Sequence, residues 1–198
     1  MTIIGITGPT GAGKTTALKE LEKLGAAIID CDAVYHGILN HDTELQNELE
    51  QAFGPLKDEN GLFDRKKLGT VVFQDPAALE RLNAIVYPRI GQAVGLLLEQ
   101  ARQEGKPAAA IDGITLIESG LGARCDTTVA VLAPVEERIR RICLREGIAE
   151  DYARARVSAQ KQDDYFRANC DHILMNDCAS WQDFALRAET LFQTILNT

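Results

Sequence analysis

The stretch Gly8-Pro9-Thr10-Gly11-Ala12-Gly13-Lys14-Thr15 decides how this 198-residue chain folds. It fits the pattern G-x-x-x-x-G-K-[ST], and the flanking sequence suits that pattern. The β-branched run at residues 2–7 predicts a buried strand before the loop. Residues 16–24 carry leucines at near-helical spacing and end at Gly25, which predicts a helix after it. A strand, a glycine-rich loop and a helix in this order predict a phosphate-binding P-loop.

The P-loop pattern also predicts how a nucleoside triphosphate is bound. Glycines adopt positive φ readily, so consecutive loop amides can face a phosphate, and the following helix adds the positive end of its dipole. Lys14 is expected between the β and γ phosphates, and the Thr15 hydroxyl is a predicted ligand of Mg²⁺. The predicted loop contacts to the nucleotide are Gly8, Gly11, Ala12, Gly13, Lys14, Thr15 and Thr16.

Composition and charge narrow the class of protein. The net charge of −8 argues against nucleic acid or an anionic membrane as a partner, because both favour a positive surface. Five cysteines without a C-x-x-C pair indicate free thiols in a reducing compartment. The sequence opens directly on a strand and has no apolar run of membrane length, so a cytoplasmic enzyme is expected.

Four further apolar runs, at residues 26–30, 108–112, 127–132 and 172–175, predict strands. With the first strand they predict an α/β protein with a five-stranded, doubly wound and mostly parallel sheet flanked by helices. Ligands of such sheets bind at the carboxyl ends of the strands.

Carboxylates follow the second and third predicted strands. If the chain stays extended, Asp30 and Asp32 point the same way, toward the phosphate site. The alternative is that one of them caps the next helix. Asp112 ends the third strand in the manner of a Walker B aspartate and is a candidate metal-region residue.

Residues 33–105 have a different character, with helical patterns in place of strands. A helix is predicted over residues 43–53 with Asp42 as its N-cap, and another starts at Asp75-Pro76. Pro88 is expected to kink or restart that second helix. A helical insertion at this place in a P-loop fold suggests a domain for the second substrate.

The region after the fourth strand is rich in arginine. A solvated face paired with neighbouring glutamates explains most of these side chains. Arg141 and Arg145 lie four residues apart, on one helical face, and are favoured as catalytic cations that close over the transferring phosphoryl group. The six residues are Arg138, Arg140, Arg141, Arg145, Arg154 and Arg156.

The last helix is predicted to start at Ser180, which has capping-box spacing to Asp183. Trp181 follows directly and is predicted to pack against the protein rather than to stack on a base.

Taken together, these segments resemble the dephospho-coenzyme A kinase family. Beyond the P-loop the likeness lies in residues 28–32, 53–54, 61–68, 72–73, 82–85, 88–90, 118–121, 145–147 and 155–157 and in Arg141, Gln160 and Asn176. Tyr87 stands where that family usually has histidine, and residues 114–118 depart from its P-L-L-F-E segment. Both departures fall on the side of the acceptor substrate.

The resemblance implies ATP-dependent phosphorylation of the ribose 3′-hydroxyl of dephospho-coenzyme A, with Mg²⁺ as the metal. It implies that Asp32 accepts the hydroxyl proton, that Lys14, Arg141 and Arg145 join it in catalysis, and that Asn176 lies by the adenine. The implied acceptor-binding residues are Asp32, Arg65, Tyr87 and Glu118.

It also implies a P-loop NTPase fold in three parts. These are a nucleotide-binding core at 1–32, 106–133 and 161–198, a helical acceptor-binding insertion at 33–105, and a lid at 134–160. We expect a monomer or weak homo-oligomer that binds ATP and dephospho-coenzyme A, with no nucleic acid or membrane partner.

Two other functions remain open at this point. One is a P-loop kinase for another small nucleotide-like or hydroxylated acceptor. The other is an ATP-dependent switch or binding module with little turnover. A GTP switch would carry an N-K-x-D element, which this sequence lacks.

Overall fold

The computed structural model describes residues 1–197 and confirms the predicted α/β class. All five predicted strands are present, within a residue of their expected bounds. The elements in chain order are β1 (Thr2–Thr7), α1 (Lys14–Lys23), β2 (Ala27–Asp30), α2 (Cys31–His41), α3 (Thr43–Phe53), α4 (Arg65–Val72), α5 (Pro76–Gln103), β3 (Ala108–Asp112), β4 (Thr127–Leu132), α6 (Val135–Glu146), α7 (Glu150–Ser158), α8 (Asp163–Asn169), β5 (His172–Met175) and α9 (Trp181–Leu196).

The strands form one parallel sheet in the order β2-β3-β1-β4-β5. The strand that leads into the P-loop is therefore central. Ile6 of β1 is in register with Asp112 of β3, and Thr7 is in register with Ala130 of β4. The carboxyl ends of these three strands consequently meet at one edge, where parallel sheets bind ligands.

Both faces of the sheet are covered, as parallel sheets require. Helices α1 and α9 pack together on one face, where Leu21 and Phe192 share a core with Ile4 and Val131. Phe166 of α8 packs against Ala130 and Leu132 on the other face. The alanine-rich β3 is fully buried over its first four residues. β1, which leads into the loop, pairs directly with this buried strand.

The chain divides into two compact units, one made of residues 1–29 with the chain from Glu99 onward, the other of Asp30–Leu98. The second unit contains α2, α3, α4 and most of α5. Within it, Arg89 of α5 donates to Asp42 at 2.9 Å and to Glu48 at 3.0 Å. Asp42 also caps α3 as predicted, accepting from the Leu45 amide at 2.9 Å.

Helix α5 starts at Pro76 as predicted, with the Asp75 carboxylate accepting from the Ala77 amide at 2.9 Å. It continues through Pro88 as one helix of 28 residues. Among the described residues 1–197, no helix combines the length and the apolar character needed to cross a membrane.

The structure distinguishes between the two alternatives for Asp30 and Asp32 and has the helix cap. The chain does not stay extended after β2, because α2 begins at Cys31. One carboxylate oxygen of Asp30 caps this helix and accepts from the amides of Asp32 and Ala33 at 2.9 and 3.0 Å. Asp32 lies in the first turn of α2 and is exposed.

Other helix bounds shift by smaller amounts. Helix α1 begins at Lys14, two residues before the predicted start at Thr16, and α7 ends at Ser158 rather than near Lys161. Helix α8 was not predicted.

Candidate active site

The P-loop backbone has a conformation that only glycine suits. Gly8, Gly11 and Gly13 have φ values of 132°, 81° and 109°. A Cβ atom at Gly8 would lie 2.1 Å from the Val131 carbonyl oxygen, and one at Gly13 would lie 2.4 Å from Nδ2 of Asn176. Both positions therefore require glycine for backbone conformation and for space.

The start of α1 is suited to an anion. Gly13 precedes the helix, and in the described part of the chain no side chain caps it and no acidic residue occupies its first turn. Lys14 Nζ donates to the Gly8 carbonyl at 2.9 Å, which holds the ammonium group over the loop. Thr15 is exposed in this first turn. The helix dipole and the absence of a capping side chain thus favour a phosphate at this end of α1.

Thr10 in the loop is held by two side chains from distant parts of the chain. Gln160 accepts from the Thr10 amide at 3.1 Å and donates to its hydroxyl at 2.7 Å. Arg138 donates to the Thr10 carbonyl at 3.0 Å and to the Gln160 amide oxygen at 2.8 Å. Arg138 is completely buried, and burial lowers its pKa, but a guanidinium stays charged in proteins. The network fixes the first half of the P-loop.

Arg141 and Asn176 hold the second half of the loop. Asn176 is buried at the end of β5 and donates to the Ala12 carbonyl at 2.8 Å. Arg141 donates to the Gly11 and Ala12 carbonyls at 3.3 and 3.4 Å and to the Asn176 side-chain oxygen at 3.4 Å. Asn176 and Arg141 therefore lie next to the loop residues that are predicted to bind ATP. Arg141 adds a local positive charge to a protein that is acidic overall.

The remaining arginines follow the pairing with glutamates that the sequence predicted. Arg140 binds Glu137 at 2.7 Å, Arg154 binds Glu136 and Glu150, both at 2.8 Å, and Arg156 binds Glu146. Arg145 donates to Glu146 at 2.6 Å and is exposed, so the structure gives it a different surrounding from Arg141.

The candidate metal residues offer the oxygen donors that Mg²⁺ prefers. Asp112 ends β3 beside β1, with its Oδ1 atom buried, and Thr15 presents a hydroxyl at the start of α1. No cluster of three or more His, Cys, Asp or Glu side chains within residues 1–197 could hold a metal ion. Mg²⁺ that also binds substrate phosphates needs only one or two ligands from the protein. Glu118 lies in the loop after β3 and is exposed.

The predicted acceptor residues Asp32, Arg65 and Tyr87 belong to the second unit. A guanidinium nitrogen of Arg65 lies 2.7 Å from Nδ1 of His36. Tyr35 is partly buried next to His36, and burial raises its pKa while the charge of Arg65 lowers it. Asp32 and Arg65 are exposed, and Tyr87 is half-buried.

Trp181 contradicts its predicted role as a packing residue. The residue is 67% exposed at the start of α9. Together with Asn176, Arg140, Arg141 and Phe184 it lines a cavity of about 490 Å³ that reaches Gly13 and Thr16 of the P-loop region.

Sequence reasoning gave no role to Arg138 and Gln160. No local pattern distinguishes the buried Arg138 from the five other arginines near it. Their partner, Thr10, lies 128 and 150 residues away in sequence, so only the tertiary fold reveals the contact.

Comparison with known proteins agrees with this geometry. Residues 2–182 match the CoaE family model, described as dephospho-CoA kinase. A dephospho-CoA kinase of Symbiobacterium thermophilum is 36% identical over 177 residues, covering 89% of this chain and 74% of that protein. A solved structure of the dephospho-CoA kinase from Campylobacter jejuni superposes with a TM-score of 0.72 at 25% identity, covering 98% of this chain and 97% of that one. The Thermus thermophilus protein TT1252 gives a TM-score of 0.81 at 32% identity over the same shares.

Proposed function

We infer the reaction from one premise: this chain belongs to the dephospho-CoA kinase family. It is an ATP-dependent kinase. We propose that it transfers the γ-phosphoryl group of ATP to the ribose 3′-hydroxyl of dephospho-coenzyme A, which gives coenzyme A and ADP. The P-loop supports this proposal most strongly, because its uncapped helix start and Lys14 form a site for a polyphosphate.

The proposed roles at the nucleotide follow from the contacts within the first unit. Lys14 and the loop amides bind the phosphates, and Arg141 neutralises charge that develops on the transferring group. Asn176 stabilises the loop through its hydrogen bond to the Ala12 carbonyl, next to the proposed position of the adenine. We also propose that Arg145 belongs to the lid and binds phosphate, for which it would have to break its ion pair with Glu146. In the proposed domain assignment, 1–32, 106–133 and 161–198 form the core, and 134–160 form the lid.

Thr15 and Asp112 are the residues that would hold Mg²⁺ with the phosphates. When bound, the ion supplies charge neutralisation and geometry for the β- and γ-phosphate oxygens.

On the acceptor side, we propose that residues 33–105 bind dephospho-coenzyme A through Arg65 and Tyr87, with Glu118 from the loop after β3. Asp32 orients the 3′-hydroxyl and accepts its proton. Phosphoryl transfer depends mainly on positioning and charge neutralisation, so a carboxylate, an ammonium and a guanidinium group suffice. We also propose that the protein works in the cytoplasm as a monomer or weak homo-oligomer.

The test is a coupled assay of ADP release with dephospho-coenzyme A, with other small hydroxylated or nucleotide-like acceptors, and without any acceptor. The proposal expects turnover that depends on dephospho-coenzyme A and a product phosphorylated at the 3′ position. Preference for another acceptor would contradict the proposed acceptor substrate. ATP binding without turnover would indicate a switch or binding module.

Asp32 has a closely matched control two residues away. Asp32→Asn should lower kcat by about 10²- to 10⁴-fold and leave ATP affinity unchanged, because it removes the proposed base. Asp30→Asn also removes a carboxylate but keeps a good N-cap for α2, so its turnover should stay within a few-fold of wild type. Equal activity of the two variants would remove Asp32 from the mechanism.

A further inference from the structure

The cavity beside the P-loop is lined by an exposed tryptophan that no packing role explains. Trp181 is the single tryptophan of the chain, and two-thirds of the residue is accessible. A large exposed aromatic side chain at the rim of a cavity is a recurrent mark of ligand recognition.

The backbone around Trp181 is fixed. The Ser180 hydroxyl accepts from the Asp183 amide at 3.1 Å and donates to the Asp183 carboxylate at 2.7 Å. Phe184, one turn later, is buried in the sheet core. Helix α9 is thus held at its start, and Trp181 offers an aromatic surface on a rigid support.

The other cavity residues match a planar aromatic ligand. Arg140 supplies a guanidinium group, which stacks on aromatic rings, and Phe184 adds apolar surface. Gly13 and Thr16 connect the cavity to the start of α1. A volume of about 490 Å³ accommodates a purine ring with its ribose while the phosphates reach the P-loop.

We propose that Trp181 stacks on the purine ring of ATP and thereby sets the affinity for the base. This inference rests on the proposed use of ATP and adds to it a residue specific to the base. Asn176 already uses its side chain on the Ala12 carbonyl and on Arg141, so it positions the loop, while Trp181 contacts the base.

The test separates the base from the phosphates. Binding of ATP and of inorganic tripolyphosphate, each with Mg²⁺, is measured by calorimetry for wild type and for Trp181→Ala. Loss of a base–aromatic stack should weaken ATP binding about five- to thirtyfold and leave tripolyphosphate binding unchanged. Trp181→Phe should recover most of the ATP affinity. Leu186→Ala, an equally exposed position on α9, should change neither ligand.

Fluorescence gives a second readout, because Trp181 is the only tryptophan. ATP should change its emission, and tripolyphosphate should not. Equal weakening of both ligands by Trp181→Ala, or no weakening of ATP, would overturn the stacking proposal while leaving the kinase reaction intact. A wild-type protein that binds tripolyphosphate but consumes no ATP would instead refute the proposed function.

Discussion

Gly13 leaves almost no room beside the P-loop, since a Cβ atom there would approach Asn176 to 2.4 Å at a φ of 109°. We expect Gly13→Ala to weaken MgATP binding by at least tenfold, because the strain and the clash together disturb the loop. Gly37 in α2 is the control, since a Cβ atom there would meet nothing within 4 Å and its φ is not positive. Gly37→Ala should raise the free energy of unfolding by about 0.4–1 kcal/mol and leave binding unchanged. Wild-type affinity in Gly13→Ala would contradict this role.

Arg138 contributes to stability through buried hydrogen bonds. Arg138→Ala removes the side-chain donor to the Thr10 carbonyl, removes one of the two donors to the Gln160 amide oxygen, and opens a cavity. We expect a loss of about 3 kcal/mol in the free energy of unfolding, measured by urea denaturation. Arg140→Ala removes an exposed guanidinium on the same helix and should change stability little. Equal stability of the two variants would show that the network is not needed.

Individual arginines could be predicted from sequence only where the partner is close in the chain. Arg140 and Arg154 follow glutamates at helical spacing, and those pairs form. Arg138 received no specific role and Trp181 was misjudged, because residues far away in sequence contribute to their surroundings. Helical periodicity shows on which face of its own helix a side chain lies. It does not show which other segment packs against that face.

Among the secondary-structure elements, β4 and β5 are joined at their amino ends by a carboxylate. Asp171 accepts from the Thr128 amide and hydroxyl, each at 2.8 Å, and these bonds lower its pKa. A depressed folded-state pKa means that the stabilisation is complete above the unfolded value near 4 and is lost as the pH falls through the folded value.

We therefore expect Asp171→Asn to lower stability by about 1 kcal/mol at pH 7, allowing for the exposure of this residue. The difference from wild type should begin to shrink as the pH falls below about 4, and should shrink further as the pH falls through the depressed pKa of the folded carboxyl, because the wild-type group then becomes neutral like the amide. Urea denaturation across pH 2.5–7 measures this. A difference that stays constant with pH would show that the charge of Asp171 contributes nothing.

The strands and most helix starts followed from local sequence, for identifiable reasons. Short apolar runs bounded by breakers predicted the strands, and Asp42, Asp75 and Ser180 cap their helices as predicted. The start of α2 was left open, because Asp30 could either continue an extended segment or cap the next helix, and the structure has the second arrangement. The short α8 has few local signals, and its Phe166 is explained only by the sheet face that it covers.

For the whole molecule, the distribution of charge matters more than its sum. The chain carries a net charge of −8, yet Lys14, Arg138 and Arg141 all contact the P-loop. The acidic remainder disfavours polyanions such as nucleic acid, while this local group of cations favours a small polyphosphate. The fold class and the family could be predicted from the sequence, because the P-loop and its flanking strand and helix are consecutive in the chain. The cavity beside the P-loop could not, since α6, the segment after β5 and α9 all contribute to it.

Ligand binding should stabilise the whole fold, because only the folded P-loop presents its amides together. MgATP at 100 times its dissociation constant adds about 2.7 kcal/mol, which corresponds to a rise in Tm of roughly 5–10 °C for a protein of this size. Thermal unfolding followed by circular dichroism measures the shift. Lys14→Met keeps the length of the side chain but removes its charge, so the shift at the same ATP concentration should fall to a small fraction of the wild-type value. Asp32→Asn should keep the full shift, because its proposed role concerns the acceptor hydroxyl and not ATP. An identical shift in Lys14→Met and wild type would mean that ATP stabilises this protein from somewhere other than the P-loop.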